Sequence, residues 1–94
     1  YPSIGRDIAV IVDESVTVDA LRGAVRASAG ALLQDLTVLS VYRGKQIEKG
    51  KKSIALGLRL QDTSRTLTDN EADAIVAQVI EQLGAKLNAT IRDK

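Results

Sequence analysis

The chain has 94 residues, 45% of them apolar and 27% charged, a globular composition with length for one domain and one modest core. It contains no cysteine and no histidine, which excludes a disulfide framework, a thiolate metal site and the commonest general base. The net charge is only +1, so any affinity for a polyanion has to come from local clustering of cations.

Arg6 to Val12 reads as the first strand, with Ile8, Val10 and Val12 on one face and Asp7, Ala9 and Ile11 on the other. Asp13-Glu14-Ser15 breaks that run. Thr17 is the predicted N-cap of a helix through Ala29, with Asp19 in its first turn; Leu21, Ala24, Val25 and Ser28 form the inner stripe and Gly30 the C-cap. Leu36 to Tyr42 is the second strand, with Leu39 and Val41 sharing one face and Val38, Ser40 and Tyr42 the other. Arg43 to Lys51, with two glycines and many charges, reads as a loop.

Ser53 to Gln61 is the clearest strand, because Ile54, Leu56, Leu58 and Leu60 alternate with small or polar residues. Thr68 and Glu71 have the spacing of a capping box for a second helix. Its apolar face is Ala72, Ile75, Val76, Val79 and Leu83, and Gly84 is its expected end. Leu87, Ala89 and Ile91 then alternate with Asn88, Thr90 and Arg92 in a last strand.

The order is β-α-β-β-α-β, which predicts an α+β, ferredoxin-like fold: a four-stranded antiparallel sheet with two helices on one face. Right-handed crossovers put both helices on the same side and leave the other side of the sheet open. If each strand turns its strongly apolar set to the helices, the open face presents Ala9, Ser40, Tyr42, Ser53, Ala55, Gly57, Arg59 and Thr90. Its middle is small, and Tyr42 is the one aromatic within the predicted elements. Such a surface can receive a flat base by stacking; equally, Tyr42 can simply pack at a strand end with its hydroxyl in water. Arg43, Lys45, Lys49, Lys51 and Lys52 place five cations within ten residues beside it, against Glu48 alone. Positive charge next to a stacking surface suits single-stranded RNA, and it also suits a loop kept soluble by lysine.

Asp69, Glu71 and Asp73 are explained by the positive end of the second helix. No catalytic constellation, phosphate-cradling loop or metal cluster is expected. Asn88-Ala89-Thr90 matches a glycosylation sequon but falls in a predicted strand. Apolar runs are far below the ~20 residues of a membrane helix. No leader pattern is visible, and together with the missing cysteine this suggests a cytoplasmic setting. The start at Tyr1-Pro2-Ser3, without Met, is expected of a piece of a longer protein.

Four segments in order resemble one known family. Tyr1-Pro2-Ser3-Ile4-Gly5-Arg6-Asp7-Ile8-Ala9 is similar to its F-P-x-x-x-R-D-[IL]-A opening, and Val41-Tyr42-Arg43-Gly44 to its V-Y-x-G turn. Gly50-Lys51-Lys52-Ser53-Ile54-Ala55 is similar to its G-x-K-S-[IL]-A strand, and Asp62-Thr63-Ser64-Arg65-Thr66-Leu67-Thr68-Asp69 to its D-x-x-R-T-L-x-[DE] helix start. The family is the ferredoxin-fold anticodon-binding domain that ends the bacterial phenylalanyl-tRNA synthetase β subunit.

The resemblance implies that residues 1–94 are a single non-catalytic module whose open sheet face meets the anticodon loop of tRNA(Phe). In the family the first anticodon base lies against the positions of Ala9, Tyr42 and Ser53, with the Tyr stacking, and an acid stands two residues before that Tyr. Here that residue is Ser40, whose neutral hydroxyl is the acceptor instead. Arg43, Lys45, Lys49 and Lys52 are the expected phosphate-facing residues beside them. The resemblance further implies a cytoplasmic heterotetramer of two α and two β subunits. It would use ATP and Mg²⁺ through residues of other domains, so this module has no cofactor or metal of its own.

Other modules share the topology. A small-molecule-sensing regulatory domain normally needs a glycine-rich turn after the first strand, and Asp13-Glu14-Ser15-Val16 lacks it. A general RNA-recognition module stacks bases on aromatics from its two central strands, which here offer Ala9, Ala55 and Gly57. An acylphosphatase-type enzyme needs an Arg in a phosphate loop and an Asn partner that have no evident counterpart.

Overall fold

The computed structural model describes residues 1–91. The elements are β1 (Ile4–Asp13), α1 (Val18–Ala29), a short 3-10 turn (Gly30–Leu32), β2 (Leu33–Tyr42), β3 (Lys51–Leu60), α2 (Asp69–Leu87) and β4 (Thr90–Ile91). The sheet order is β2-β3-β1-β4, and every neighbouring pair is antiparallel. This is the ferredoxin-like architecture expected from the sequence, with both helices packed on one face of the sheet.

The core follows from the alternation in β1 and β3. Val10, Val12, Ile54, Leu56, Leu58 and Leu60 are all at most 2% exposed and meet Leu21 and Val25 of α1 and Val79 and Leu83 of α2. Burying each such side chain is worth about 1.5–3 kcal/mol, which fixes which side of each strand faces inward. Arg6 points to the same side from the end of β1, donating from Nε to Asp73 and from Nη2 to Asp69, both at 3.2 Å, and so ties the strand to the first two turns of α2.

Both helix starts are capped as the sequence predicts. The Thr17 side chain accepts from the Ala20 N–H at 3.0 Å. Thr68 accepts from the Glu71 N–H at 3.2 Å, while Glu71 accepts from the Thr68 N–H at 3.0 Å, completing the capping box. Gly30, at φ 65° and ψ −145°, closes α1 in a backbone conformation that essentially only glycine adopts.

The end of α2 differs from expectation. Gly84 does not stop it; the helix runs to Leu87 and ends at Asn88, whose φ of 58° and ψ of 26° are left-handed. Leu87 stands four residues beyond Leu83 and extends the buried stripe, which outweighs a single glycine in the helix. What Gly84 provides is room, since a Cβ there would stand 3.4 Å from the Ala89 carbonyl as the chain turns back. The last strand is consequently reduced to Thr90–Ile91, and Leu87 and Ala89 are not part of it. Arg92, also expected in that strand, lies outside the described residues.

Candidate nucleic-acid interface

The decisive local feature is an irregularity in β2. Leu36 pairs with Leu58 and Val38 with Leu56, so both face the helices, and Val38 packs against the core. Ser40 pairs with Ala55, not Leu39, because the register shifts between Val38 and Ser40. A β-bulge of this kind adds one residue and re-aims the side chains beyond it. Without it Tyr42 would point to the helix side; with it Ser40 and Tyr42 reach the open face, and Val41 takes the helix-facing side opposite Ile54 while staying 41% exposed.

The bulge corrects two sequence expectations. Val38 is a helix-facing residue, not an open-face one, and Leu39 is the reverse. The Leu39 methyls lie 3.5 and 3.7 Å from where a Cβ on Gly57 would stand, on the open side, and the residue is 54% exposed. Alternation alone could not find this, because Leu36 and Leu39 are out of phase and cannot both face inward on a regular strand.

The strand registers arrange the open face in rows. Tyr42, Ser53, Ile11 and Thr90 form one, and Ser40, Ala55 and Ala9 the next. Thr37, Gly57 and Asp7 come after these, with Leu39 beside them, and then Asp35, Arg59 and Gly5. Ala9, Ser40, Tyr42 and Ser53 are thus brought together in two adjacent rows. Ser40 is exposed and Ala9 half-buried, whereas Ser53 is only 3% exposed, so a ligand reaches it only by displacing what covers it.

The Tyr42 ring is 40% exposed and lies against Gly44. A Cβ at Gly44 would stand 2.5 Å from the Tyr42 hydroxyl oxygen and 2.7 Å from Cζ, closer than atoms can pack. Glycine at this turn is therefore what lets the ring lie where it does.

The five cations of the adjoining segment separate once folded. Arg43 donates from Nε to both carboxylate oxygens of Glu14, at 2.8 and 2.9 Å, which holds the Glu14 carboxyl below its usual range. The Lys51 ammonium is 4.0 Å from Asp13. Lys52 pairs with Val12 on the helix-facing side and is 9% exposed, with its charge also felt by Glu14. Lys45 and Lys49 are exposed, and no carboxylate lies within 4.0 Å of either among the described residues. Their loop is anchored by Ile47, 7% exposed, and by the Glu14 N–H donating to the Gly50 carbonyl at 2.9 Å. Sequence reading counted the lysines and arginine but missed Glu14 as a partner, because some thirty residues of chain separate the two sides of that contact.

These features define a ferredoxin-like α+β domain with one covered sheet face and one open face, and with two exposed lysines, lacking carboxylate partners among the described residues, in the loop that follows Tyr42. The chain belongs to the ferredoxin-fold anticodon binding domain family, whose sequence model matches residues 1–92. Among its relatives are the phenylalanine–tRNA ligase beta subunits of Coxiella burnetii, 47% identical over 93 residues, and of Xanthomonas campestris pv. campestris, 46% identical over 92. The corresponding protein of Methylococcus capsulatus is 39% identical over 93 residues. Each alignment covers 98–99% of this chain but only 12% of the relative, so the chain spans about an eighth of the length of these proteins.

Proposed function

We propose that this chain is the anticodon-binding module of a phenylalanine–tRNA ligase β subunit and that it holds the anticodon loop of tRNA(Phe) by stacking one base on Tyr42. The observation behind this is the combination of bulge and glycine: the β2 bulge turns Tyr42 to the open face, one row from the small residues Ser40, Ala55 and Ala9, and Gly44 leaves room for its ring. Ser40 offers a neutral hydroxyl to the base edge, and Lys45 and Lys49 meet the phosphates. Arg43 and Lys52, held near Glu14, act mainly by shaping the loop.

In this reading residues 1–94 are one domain of a longer cytoplasmic protein that joins an α subunit in an α2β2 assembly. Phenylalanine activation and its ATP and Mg²⁺ belong to other domains of that assembly. The rival reading, a small-molecule-sensing regulatory domain, draws no support: the turn after β1 has no glycine and is occupied by the Glu14 contacts to Arg43 and Gly50.

The test is binding of a tRNA(Phe) anticodon stem-loop to the Tyr42→Ala and Tyr42→Phe variants. Base–aromatic stacking is worth ~1–3 kcal/mol, so Tyr42→Ala should weaken binding by about five- to a hundredfold and Tyr42→Phe should keep most of it. A lower melting temperature with unchanged affinity in Tyr42→Ala would reduce the ring to packing.

A further inference from the structure

Toward the end of the open face away from Tyr42, the sheet holds a groove of about 320 Å³. Thr37 and Leu39 of β2, Gly57 and Arg59 of β3 and Gly5 of β1 line it, with Asp35 beside Arg59. Thr37 pairs with Gly57 and Gly5 with Arg59, so bare backbone appears at two places where a strand would normally present side chains. Gly57 is not required by backbone angle, because the positive-φ glycines are Gly30 and Gly50. Backbone angle therefore does not account for its cost to the strand. A glycine in the middle of a strand marks a place where another group approaches the backbone closely. A Cβ at Gly57 would sit 3.5 Å from a Leu39 methyl and 3.5 Å from Asp7 Oδ1, in ordinary contact, so a larger side chain is sterically possible there and would occupy the groove.

The chemistry of the walls narrows the occupant. Leu39 supplies an exposed apolar surface. The Arg59 guanidinium is 3.6 Å from an Asp35 oxygen, and both side chains are more than half exposed, so each keeps hydrogen-bonding capacity toward a ligand. Asp7 and Asp35 outnumber Arg59, which disfavours a phosphate and suits a neutral flat ring with donors and acceptors on its edge. Gly57 is four residues along β3 from Ser53, the partner of Tyr42, or about 13 Å at 3.3 Å per residue. Four-stranded sheets that bind single-stranded RNA receive two or three unstacked bases along one face.

We propose that this groove receives a second nucleobase of the same RNA strand, lying on Gly57 against Leu39 with its polar edge toward Thr37, Asp35 and Arg59. The inference rests on the open face being the RNA-binding face, as proposed above for Tyr42.

The test uses Gly57→Val and Arg59→Gln with a tRNA(Phe) anticodon stem-loop and a set of the same RNA in which each loop nucleotide in turn is made abasic. Valine suits a strand better than glycine, so Gly57→Val should keep or raise the melting temperature. It should nevertheless weaken RNA binding by about five- to a hundredfold. One abasic RNA should bind wild type and Gly57→Val equally and be insensitive to Arg59→Gln, and it should differ from the abasic RNA that no longer distinguishes Tyr42→Ala. Unchanged affinity of Gly57→Val alongside a weakened Tyr42→Ala would overturn the groove proposal and leave the Tyr42 reading standing. A Gly57→Val defect equal on every abasic RNA would also overturn it, since the valine would then act through the sheet and not through a base. Loss of affinity in neither variant would remove both.

Discussion

Gly44→Ala isolates the orientation of the Tyr42 ring from its presence. The added methyl would lie 2.5 Å from the tyrosine hydroxyl oxygen and 2.7 Å from Cζ. Ordinary contact is about 3.5 Å, so the ring must give way by roughly 1 Å. The ring can do so, because the residue is 40% exposed. The backbone does not resist either, because Gly44 is not among the positive-φ glycines, and alanine also restricts the unfolded chain. Stability should therefore change little while the stacking surface is misplaced.

The most that can be lost is the stack itself, ~1–3 kcal/mol, so binding to the anticodon stem-loop should fall by a factor between about two and the full effect of Tyr42→Ala. The assay is a double-mutant cycle by fluorescence anisotropy, with melting temperatures measured alongside. Gly44→Ala is expected to be silent in the Tyr42→Ala background, because it acts only through the ring. If it weakens binding as much there as in the wild type, the glycine serves the loop and does not position the ring.

Lys45 and Lys49 have no carboxylate partners among the described residues, so neutralising both is expected to flatten the log–log salt dependence of RNA binding by up to about 1.4, at about 0.7 per phosphate contact. Lys52→Ala should leave that slope nearly unchanged, since the residue is 9% exposed on the helix-facing side. Thr68→Ala removes a helix cap worth ~1 kcal/mol and should lower the melting temperature by about 4–8 °C with RNA affinity intact, because the cap is on the covered side of the sheet. Glu71 accepts from Arg65 and from Thr68, which lowers its pKa from the usual 4.5 to about 2. Below 4.5 the unfolded chain binds the proton first, so stability should fall with pH across the window from about 5 to about 2, and Glu71→Gln should flatten that limb of the melting-temperature profile.

The fold was legible because its strongest signals are local. The alternation of Ile54, Leu56, Leu58 and Leu60, and the Thr68–Glu71 spacing, each depend on neighbours within a few residues, and both survive in the structure. The end of α2 was misread because glycine is a weak stop when Leu87 has a core to join. The open face was legible on β1 and β3, where the period of two is unbroken. It failed on β2 because a bulge changes phase without changing composition: the pattern demands Leu36 inward, Tyr42 outward and an even number of steps between them, and only one extra residue reconciles these. The fate of the cations was illegible for another reason. Whether Arg43 meets a phosphate or Glu14 depends on how a loop after β2 lies beside a turn after β1, which no local pattern encodes.

Those ion pairs bear on how the domain can work. With Arg43 held by Glu14, Lys51 near Asp13 and a net charge of +1, the surface that remains for phosphates is small. The proposed platform of one aromatic ring, a shallow groove and two lysines would supply few contacts with which to offset the loss of motional freedom on association. On the function proposed above, such a module would bind weakly as a free body and effectively as a tethered one. If the rest of a longer chain already holds the body of the tRNA, the anticodon loop meets this face at an effective concentration that short linkers raise to the millimolar range, and modest stacking then suffices to discriminate. The architecture fits that division of labour. The covered face carries the apolar core and two capped helices, and the open face is left with small residues, a bulge that turns Leu39, Ser40 and Tyr42 outward, and a glycine turn that leaves room for the tyrosine ring.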